Sequence, residues 1–310
     1  LLLVVEPGVR ASDPSGCSGN RAESPQRRPQ SLAAGPRTSG MPLTVLQKHV
    51  LRILAANRSE ESHFAGGLVL NAGEESPRYS HDFDIFHEAE AEVARASDLD
   101  LLSLRSAGYE VHQTGGDWKN PVGFRKARLI HGGEELEIDW AADCAFRFFP
   151  IEPDPVLGWR LHLFDMATNK ALALAARSVT RDYVDIVELD RTYPLEAIVW
   201  AACGKDQGFS PMLLLEMMRR FARINPRQLE TIQARQLDPV ALKRDWIMMS
   251  ERADAEITRV ADTLPEIPLG VAFVDGKGSP GWIGRDSTLQ IHRPTVRGCW
   301  PRVIAGPAEG

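Results

Sequence analysis

Gly66-Gly67 stands ahead of Arg78-Tyr79-Ser80-His81-Asp82-Phe83-Asp84-Ile85-Phe86, and this stretch gathers the groups of the chain best suited to chemistry. Two carboxylates spaced i, i+2 fall on one face of a β-strand, while Phe83 and Ile85 turn to the other, into a core. Hard anionic oxygens suit Mg²⁺ (or Mn²⁺), and a glycine pair lets the backbone approach a ligand closely. Together they would cradle a divalent cation and a triphosphate. Neither feature suffices alone, because surface strands often carry two acids and most glycine pairs only permit a turn.

A third carboxylate comes from the segment Glu134 to Ala141, where Leu136, Ile138 and Trp140 alternate with Glu135, Glu137 and Asp139. One face of that strand is apolar and the other acidic. By itself the acidic face reads as solvated. With Asp139 on a strand neighbouring Asp82 and Asp84, and on the same face, three carboxylates converge. Such a set can serve two Mg²⁺ ions that hold a nucleotide's phosphates and activate a hydroxyl.

Lys170, Arg177, Arg181, Asp182 and Asp185 form a second cluster. On one continuous helix Lys170, Arg177 and Arg181 share a side, and Asp185 falls four residues after Arg181, within reach of it. A charged outer face is the bland explanation. Against it, Lys170 and Arg177 bracket a small, apolar run (Ala171 to Ala176), a placement that calls for a ligand or a partner charge.

These residues need elements to position them. Pro42 to Asn57 has apolar residues at helical spacing, and His63 to Ala65 reads as a short strand running into the glycine turn. Leu68 to Asn71 is expected to open a brief helix, and Ser80 to Phe86 a second strand. Asp98 to Ala107 reads as helix and Tyr109 to His112 as strand. Lys126 to His131 and Glu134 to Ala141 read as a hairpin turning at Gly132-Gly133. From about Phe164 the pattern becomes helical, with Ser210-Pro211 and Asp238-Pro239 as helix starts. Val271 to Val274 is one strand in a Pro/Gly-rich tail expected to be loosely organised.

Taken together, Gly66-Gly67, Arg78-x-Ser80-x-Asp82-x-Asp84 and the Lys170, Arg177, Arg181-Asp182, Asp185 series resemble the AbiEii-type nucleotidyltransferases, the toxin halves of abortive-infection toxin–antitoxin pairs within the DNA polymerase beta-like superfamily. The resemblance covers roughly residues 45–260. It implies an α+β fold, a nucleotidyltransferase-like mixed sheet with flanking helices followed by a helical C-terminal part. It also implies Asp82 and Asp84 as metal ligands, and Gly66, Gly67 and Ser80 on phosphate. Arg78, Lys170, Arg177 and Arg181 join the nucleotide-binding set. Asp182 or Asp185 is the catalytic or positioning carboxylate, while Asp139 as third ligand rests on strand alternation alone. The activity implied is Mg-dependent transfer of a nucleotidyl group from an NTP to an acceptor hydroxyl, with RNA (a tRNA 3′ end) as acceptor and a cognate antitoxin as partner. Phosphotransfer of the kinase type on the same fold, or a catalytically inactive member that binds a partner, are the alternatives.

Bulk properties bound these expectations. The organisation expected is an extension over 1–40 without periodicity, an α/β core over 41–160, a helical part over 161–265 that completes the site, and the tail over 266–310. Apolar residues make up 43% and charged residues 25%, which is ordinary for a globular chain. A net charge of −6 leaves no global nucleic-acid footprint, so any such contact must be local. Cys17, Cys144, Cys203 and Cys299 are scattered, which argues against a zinc site or disulfide framework and suits a cytoplasmic protein. No apolar run is long enough to span a membrane. His63, His81, His87, His112 and His131 lack metal-ligand spacing, and Trp118, Trp159, Trp200 and Trp246 read as core or rim. Met212, Met217, Met218, Met248 and Met249 read as packing, and Arg219, Arg220 and Arg223 as a basic helix end.

Overall fold

The computed structural model of the protein describes residues 43–71, 76, 78–80, 82–116, 123–177, 179–220, 226–230, 232, 237–283 and 289–302. The extension expected over 1–40 lies outside them, as do Gly73, His81, Trp118, Arg223 and the side chain of Arg220.

Thr44 opens α1 (Val45–Ala55) with a capping box in which its hydroxyl accepts from Gln47 N and the Gln47 side chain accepts from Thr44 N. Leu46, Val50, Leu51 and Leu54 form the buried face of that helix. Next, β1 (Ser62–Ala65) runs straight into the short helix α2 (Gly66–Leu70), which starts two residues earlier than the spacing predicts. The reason is Gly66, whose φ of 65° makes the strand-to-helix corner without a Cβ penalty.

β2 (Asp82–His87), α3 (Glu90–Ser106) and β3 (Glu110–Gly116) follow. The hairpin β4 (Phe124–His131) and β5 (Glu134–Ala142) turns at Gly132-Gly133, with φ of 61° and 83°, the positive values that a two-residue turn needs. β6 (Phe146–Arg147), β7 (Glu152–Asp154) and β8 (Gly158–Arg160) complete the α/β part. One mixed seven-stranded sheet results, ordered β3-β4-β5-β2-β1-β8-β7, with β2 at its centre. β2 is antiparallel to β1 and parallel to β5. Phe83, Ile85, Ile138 and Trp140, all fully buried, pack with Val50, Leu54, Val93, Leu101 and Leu104 of α1 and α3. Inside that layer the Arg58 guanidinium grips Asp100, which also accepts from Trp140 Nε1 at 2.7 Å.

The helical part comprises α4 (Leu163–Ala176), α5 (Thr180–Leu189), α6 (Leu195–Ala202), α7 (Pro211–Arg220), α8 (Pro226–Glu230) and α9 (Pro239–Thr263). Both Pro-initiated helices begin where expected, and Asp238 caps α9 by accepting from Val240 N. The single helix expected from Lys170 through Arg181 is broken instead. Arg177 leaves α4 in an extended conformation (φ −137°, ψ 125°), and α5 starts at Thr180. Ser, Val and Thr at 178–180 are weak helix formers. The break also lets Lys170 and Arg177 converge on α5 from different directions, which a straight helix would forbid.

The tail departs from expectation as well. β9 (Ala272–Val274), β10 (Pro280–Gly281) and β11 (Gln290–His292) form a three-stranded sheet, and β12 (Thr295–Val296) pairs with β6. Phe273 and Trp282 sit within the helical core beside Trp200, and Trp282 Nε1 donates to Glu256 at 3.0 Å. Pro and Gly there make the turns between packed apolar residues, a composition that a loose tail shares. Met212 and Met248 are exposed, whereas Met218 and Met249 pack as expected.

Two stability measurements test these points. Trp282→Ala should cost about 3–5 kcal/mol in urea unfolding, because it empties a closed aromatic cluster. His87, fully buried in β2, has its imidazole pKa pushed down from 6.5 to about 3 by burial, with Arg58 and Arg95 adding to the effect. A pKa depressed by folding contributes stability that is intact above 6.5 and is lost as pH falls from there toward 3. Urea midpoints should therefore drop across that interval, and His87→Gln should flatten part of the drop.

Candidate active site

The alternation of β2 turns Asp82, Asp84 and Phe86 away from the core and into a cleft between the sheet and the helical part. Gly66, Gly67, Arg78 and Ser80 line the same wall. Facing them are Leu161, then Met166, Asn169, Lys170 and Ala173 of α4, Arg177 where the chain leaves it, and Arg181 of α5. A Cβ on Gly66 would overlap the Asp84 carboxylate, and one on Gly67 would come within 2.8 Å of Ser80 Oγ and 3.0 Å of Arg78 Nη2. The glycine pair thus exists to let these side chains close in. Gly67 N–H donates to Asp84 Oδ2 at 3.3 Å, and Ser80 O accepts from Gln47 Nε2 at 2.8 Å, which ties the loop to the α1 cap.

Asp84 sits directly beside Asp139 in the parallel register of β2 and β5, and Asp82 beside Glu137. Four carboxylates therefore share one face. Lys126, opposite Asp139 across the hairpin, lies 3.4 Å from Asp139 Oδ1 and 2.7 Å from Glu137 Oε2. The longer contact is an ion pair and not a formed hydrogen bond: Asp139 Oδ1 is buried without a hydrogen-bond partner among the described residues. Burial pushes the Asp139 carboxyl up to about 6; Lys126 opposes this, and the neighbouring Asp84 and Asp82 charges add to it. Asp82 Oδ2 takes Arg181 Nη1 at 3.2 Å, a half-exposed pair across the cleft mouth. Because each carboxylate is turned to its own partner, no group of three acidic or histidine side chains closes into a ready ligand set among the described residues. The donor chemistry nonetheless fits a hard divalent cation: oxygen donors only, one of them unsatisfied, and a glycine in place of any competing side chain.

Behind the opposite wall runs a buried chain of charges. Arg78 grips Asp185 through Nε and Nη2, both at 2.6 Å. Lys170 Nζ bridges Asp185 at 2.9 Å and Asp182 at 3.0 Å, and Arg177 Nε reaches Asp182 at 3.0 Å. Asn71 Nδ2 donates to Asp185 at 3.3 Å and to Gly67 O at 2.9 Å, which joins α2 to α5. Burial works against the Lys170 charge, yet Asp185 and Asp182 outweigh it and hold its pKa above the usual lysine value. In the same way burial would raise the Asp185 pKa, but Lys170 and Arg78 hold it well below the usual range.

The structure therefore brings Gly66, Gly67, Arg78, Ser80, Asp82, Asp84, Lys170, Arg177 and Arg181 to one cleft, with Asp139 beside Asp84. Two expectations change. Arg181 pairs with Asp82 and not with Asp185, because the break after α4 carries it to the sheet side. Asp182 and Asp185 do not line the cleft; they lie behind it and anchor its cations. Arg219 is tied to Asp254 at 2.6 Å. None of the described histidines lines the cleft.

Sequence reasoning missed Phe86, Met166, Asn169, Ala173, Lys126 and Asn71. Phe86 continues the i, i+2 series of Asp82 and Asp84. Met166, Asn169 and Ala173 share a helical face with Lys170. Lys126 follows from the turn, since counting outward from Gly132-Gly133 places it opposite Asp139. Asn71 carries no signal of its own.

No family model matches the chain, and no curated protein matches it. Among solved structures the fold is similar to a candidate nucleotidyltransferase from H. pylori, at 13% identity and TM-score 0.43 over 68% of this chain and 95% of that one. It is also similar to JHP933 from Helicobacter pylori (14%, TM-score 0.41, 70% and 94%). A third is MenT4, a nucleotidyltransferase toxin from Mycobacterium tuberculosis H37Rv (17%, TM-score 0.40, 71% and 91%). Likeness at this level is distant, and the functional case rests on the geometry of the cleft.

The charge chain makes a direct prediction. Asp185→Asn leaves Arg78 and Lys170 short of a buried counter-charge and should lower stability by about 3–5 kcal/mol, read from urea unfolding at neutral pH.

Proposed function

We propose that this protein transfers a nucleotidyl group from a nucleoside triphosphate to an acceptor hydroxyl. One observation carries the proposal. Carboxylates on the β2–β5 face stand opposite Lys170, Arg177 and Arg181 across a single cleft floored by a glycine corner, with Arg78 beside the glycines. Carboxylates facing cations across one cleft are what a polyphosphate and its counter-cation require together.

Arg177 and Arg181, at the open end of the cationic wall, bind and orient the polyphosphate, with Lys170 and Arg78 held rigid behind them by Asp182 and Asp185. Rigid cations cost little reorganisation as charge shifts to the leaving group. Gly66 and Gly67 line the cleft along which the phosphate chain would pass, with the Ser80 hydroxyl, which donates to Asp82 O at 3.3 Å, beside them. The acceptor oxygen bonds to the α-phosphorus as its proton passes to solvent, the α–β bridging bond breaks, and pyrophosphate leaves. Asp82, Asp84 and Asp139 would hold divalent cations, which when bound supply charge neutralisation and a more acidic acceptor hydroxyl. An RNA acceptor, a toxin role with a cognate antitoxin and a cytoplasmic setting extend this reading on the motif resemblance alone.

Asp82→Ala combined with Asp84→Ala should lower transfer by at least about a hundredfold with the urea midpoint little changed, since both side chains face the cleft and not the core. The assay follows α-labelled NTP onto total RNA with Mg²⁺. Undiminished labelling by the double variant would sink the proposal, and acceptor label arising only from γ-labelled ATP would reassign the chemistry to phosphotransfer.

A further inference from the structure

We infer that Lys126 is the resident counter-cation of Asp139, and that it yields this place to a divalent cation by withdrawing onto Glu137. Lys126 is then a positioning residue that sets the cation affinity of the cleft, acting through Asp139. The inference rests on the cation-binding part of the reading above and deepens it.

Strand register fixes the participants. Lys126 stands opposite Asp139 across the β4–β5 hairpin, and Asp139 stands beside Asp84 of β2. Two residues earlier on β5, and so on the same face, Glu137 stands beside Asp82. Lys126 reaches both β5 carboxylates, but unequally. Its Nζ lies 2.7 Å from Glu137 Oε2, the length of a charge-assisted hydrogen bond, and 3.4 Å from Asp139 Oδ1. That Asp139 oxygen is buried and has no hydrogen-bond partner among the described residues. The firm contact is therefore the one with Glu137. The loose one neutralises Asp139 by charge alone and leaves its oxygen able to take a better-fitting cation.

The surroundings leave Lys126 room to make the change. Gly115 of β3 is its neighbour on the other flank, where a Cβ would come within 3.2 Å of Lys126 Cβ and 3.8 Å of Cδ. Without that Cβ the stem is uncrowded on this side. A flexible four-carbon stem ending in rotatable donors can pivot between two carboxylates, which the planar fork of an arginine does poorly. Arg128 comes no nearer to Glu137 than 3.5 Å, at Oε1, so Oε2 is left to Lys126. Four carboxylates on one face repel one another, and Lys126 relieves Asp139 while no ion is bound. Mg²⁺ and Mn²⁺ favour several oxygen donors at once, so Asp139 gains by the exchange while Lys126 keeps a partner.

Mn²⁺ titrated into the full chain, with the free ion counted by electron paramagnetic resonance, tests this without an activity assay. Lys126→Met should tighten binding about tenfold, the scale of one partly screened charge removed. Glu137→Gln should weaken it about tenfold, because Lys126 is then left with Asp139 as its carboxylate. The double variant separates this exchange from simple addition of charges. With Lys126 gone, Glu137→Gln should alter the affinity less than about threefold, a coupling that independent sites would not show. Both side chains are partly exposed, so neither substitution opens the core. Unchanged affinity in Lys126→Met, or an equal loss from Glu137→Gln with and without Lys126, overturns the role of Lys126 and leaves cation binding intact. If the wild type binds no Mn²⁺, the underlying cation reading falls and the inference with it.

Discussion

Everything at the cleft depends on one buried alternation of charge: Arg78, Asp185, Lys170, Asp182 and Arg177 in sequence. Ion pairs this deep are expensive, because each charge gives up water and recovers the cost only from close partners. Here each buried carboxylate touches two cations, and Lys170 touches two carboxylates. Three cations on two carboxylates leave one unit of positive charge facing the cleft. The network also joins chain segments that are far apart, from the loop before β2 to α4 and α5, with Asn71 adding α2. Helices and sheet are thereby held at the spacing a ligand would fill.

The sheet supplies the opposing constraint. β2 is its central strand, so Phe83 and Ile85 are locked in the core and the remaining side chains of the strand have no freedom to face elsewhere. Parallel pairing with β5 then stacks Asp139 against Asp84, and the antiparallel hairpin brings Lys126 over both Asp139 and Glu137. Burial, with like charges crowded beside it, raises the Asp139 pKa, and such crowding is tolerable only with cations near. Lys126 and Arg181 fill that need from opposite sides.

What could be read in the chain beforehand follows the range of the interaction. Strand alternation is local, so the shared face of Asp82 and Asp84, the acidic face of β5 and the turn at Gly132-Gly133 were all legible. Capping chemistry is equally local, which is why the starts of α7 and α9 were placed well. The break after α4 was not legible, because the run from Leu163 keeps helical spacing through Arg181. The weak helix formers at 178–180 permit the break, and the pull of Asp182 on both Lys170 and Arg177 decides against continuity. Nor was the tail, where Pro and Gly signal turns without saying whether Phe273 and Trp282 between them are buried. Long-range partners such as Asn71 with Asp185 and Lys205 with Asn169 leave no periodic trace.

The pair between Arg181 and Asp82 has a consequence for how the cleft fills. Each group is the other's present counter-charge, half-exposed at the mouth. A lone cation approaching Asp82 must displace a guanidinium, and a lone polyanion approaching Arg181 must displace a carboxylate. Were both to arrive together the exchange would be even: Asp82 would pass to the cation, Arg181 to the polyanion, and two intermolecular pairs would replace the intramolecular one. Under the proposed function, occupancy by either species would raise the affinity for the other by the same factor, as linkage requires. A surface ion pair worth little to folding would thus act, under that function, as a coincidence detector for a cation and a polyanion.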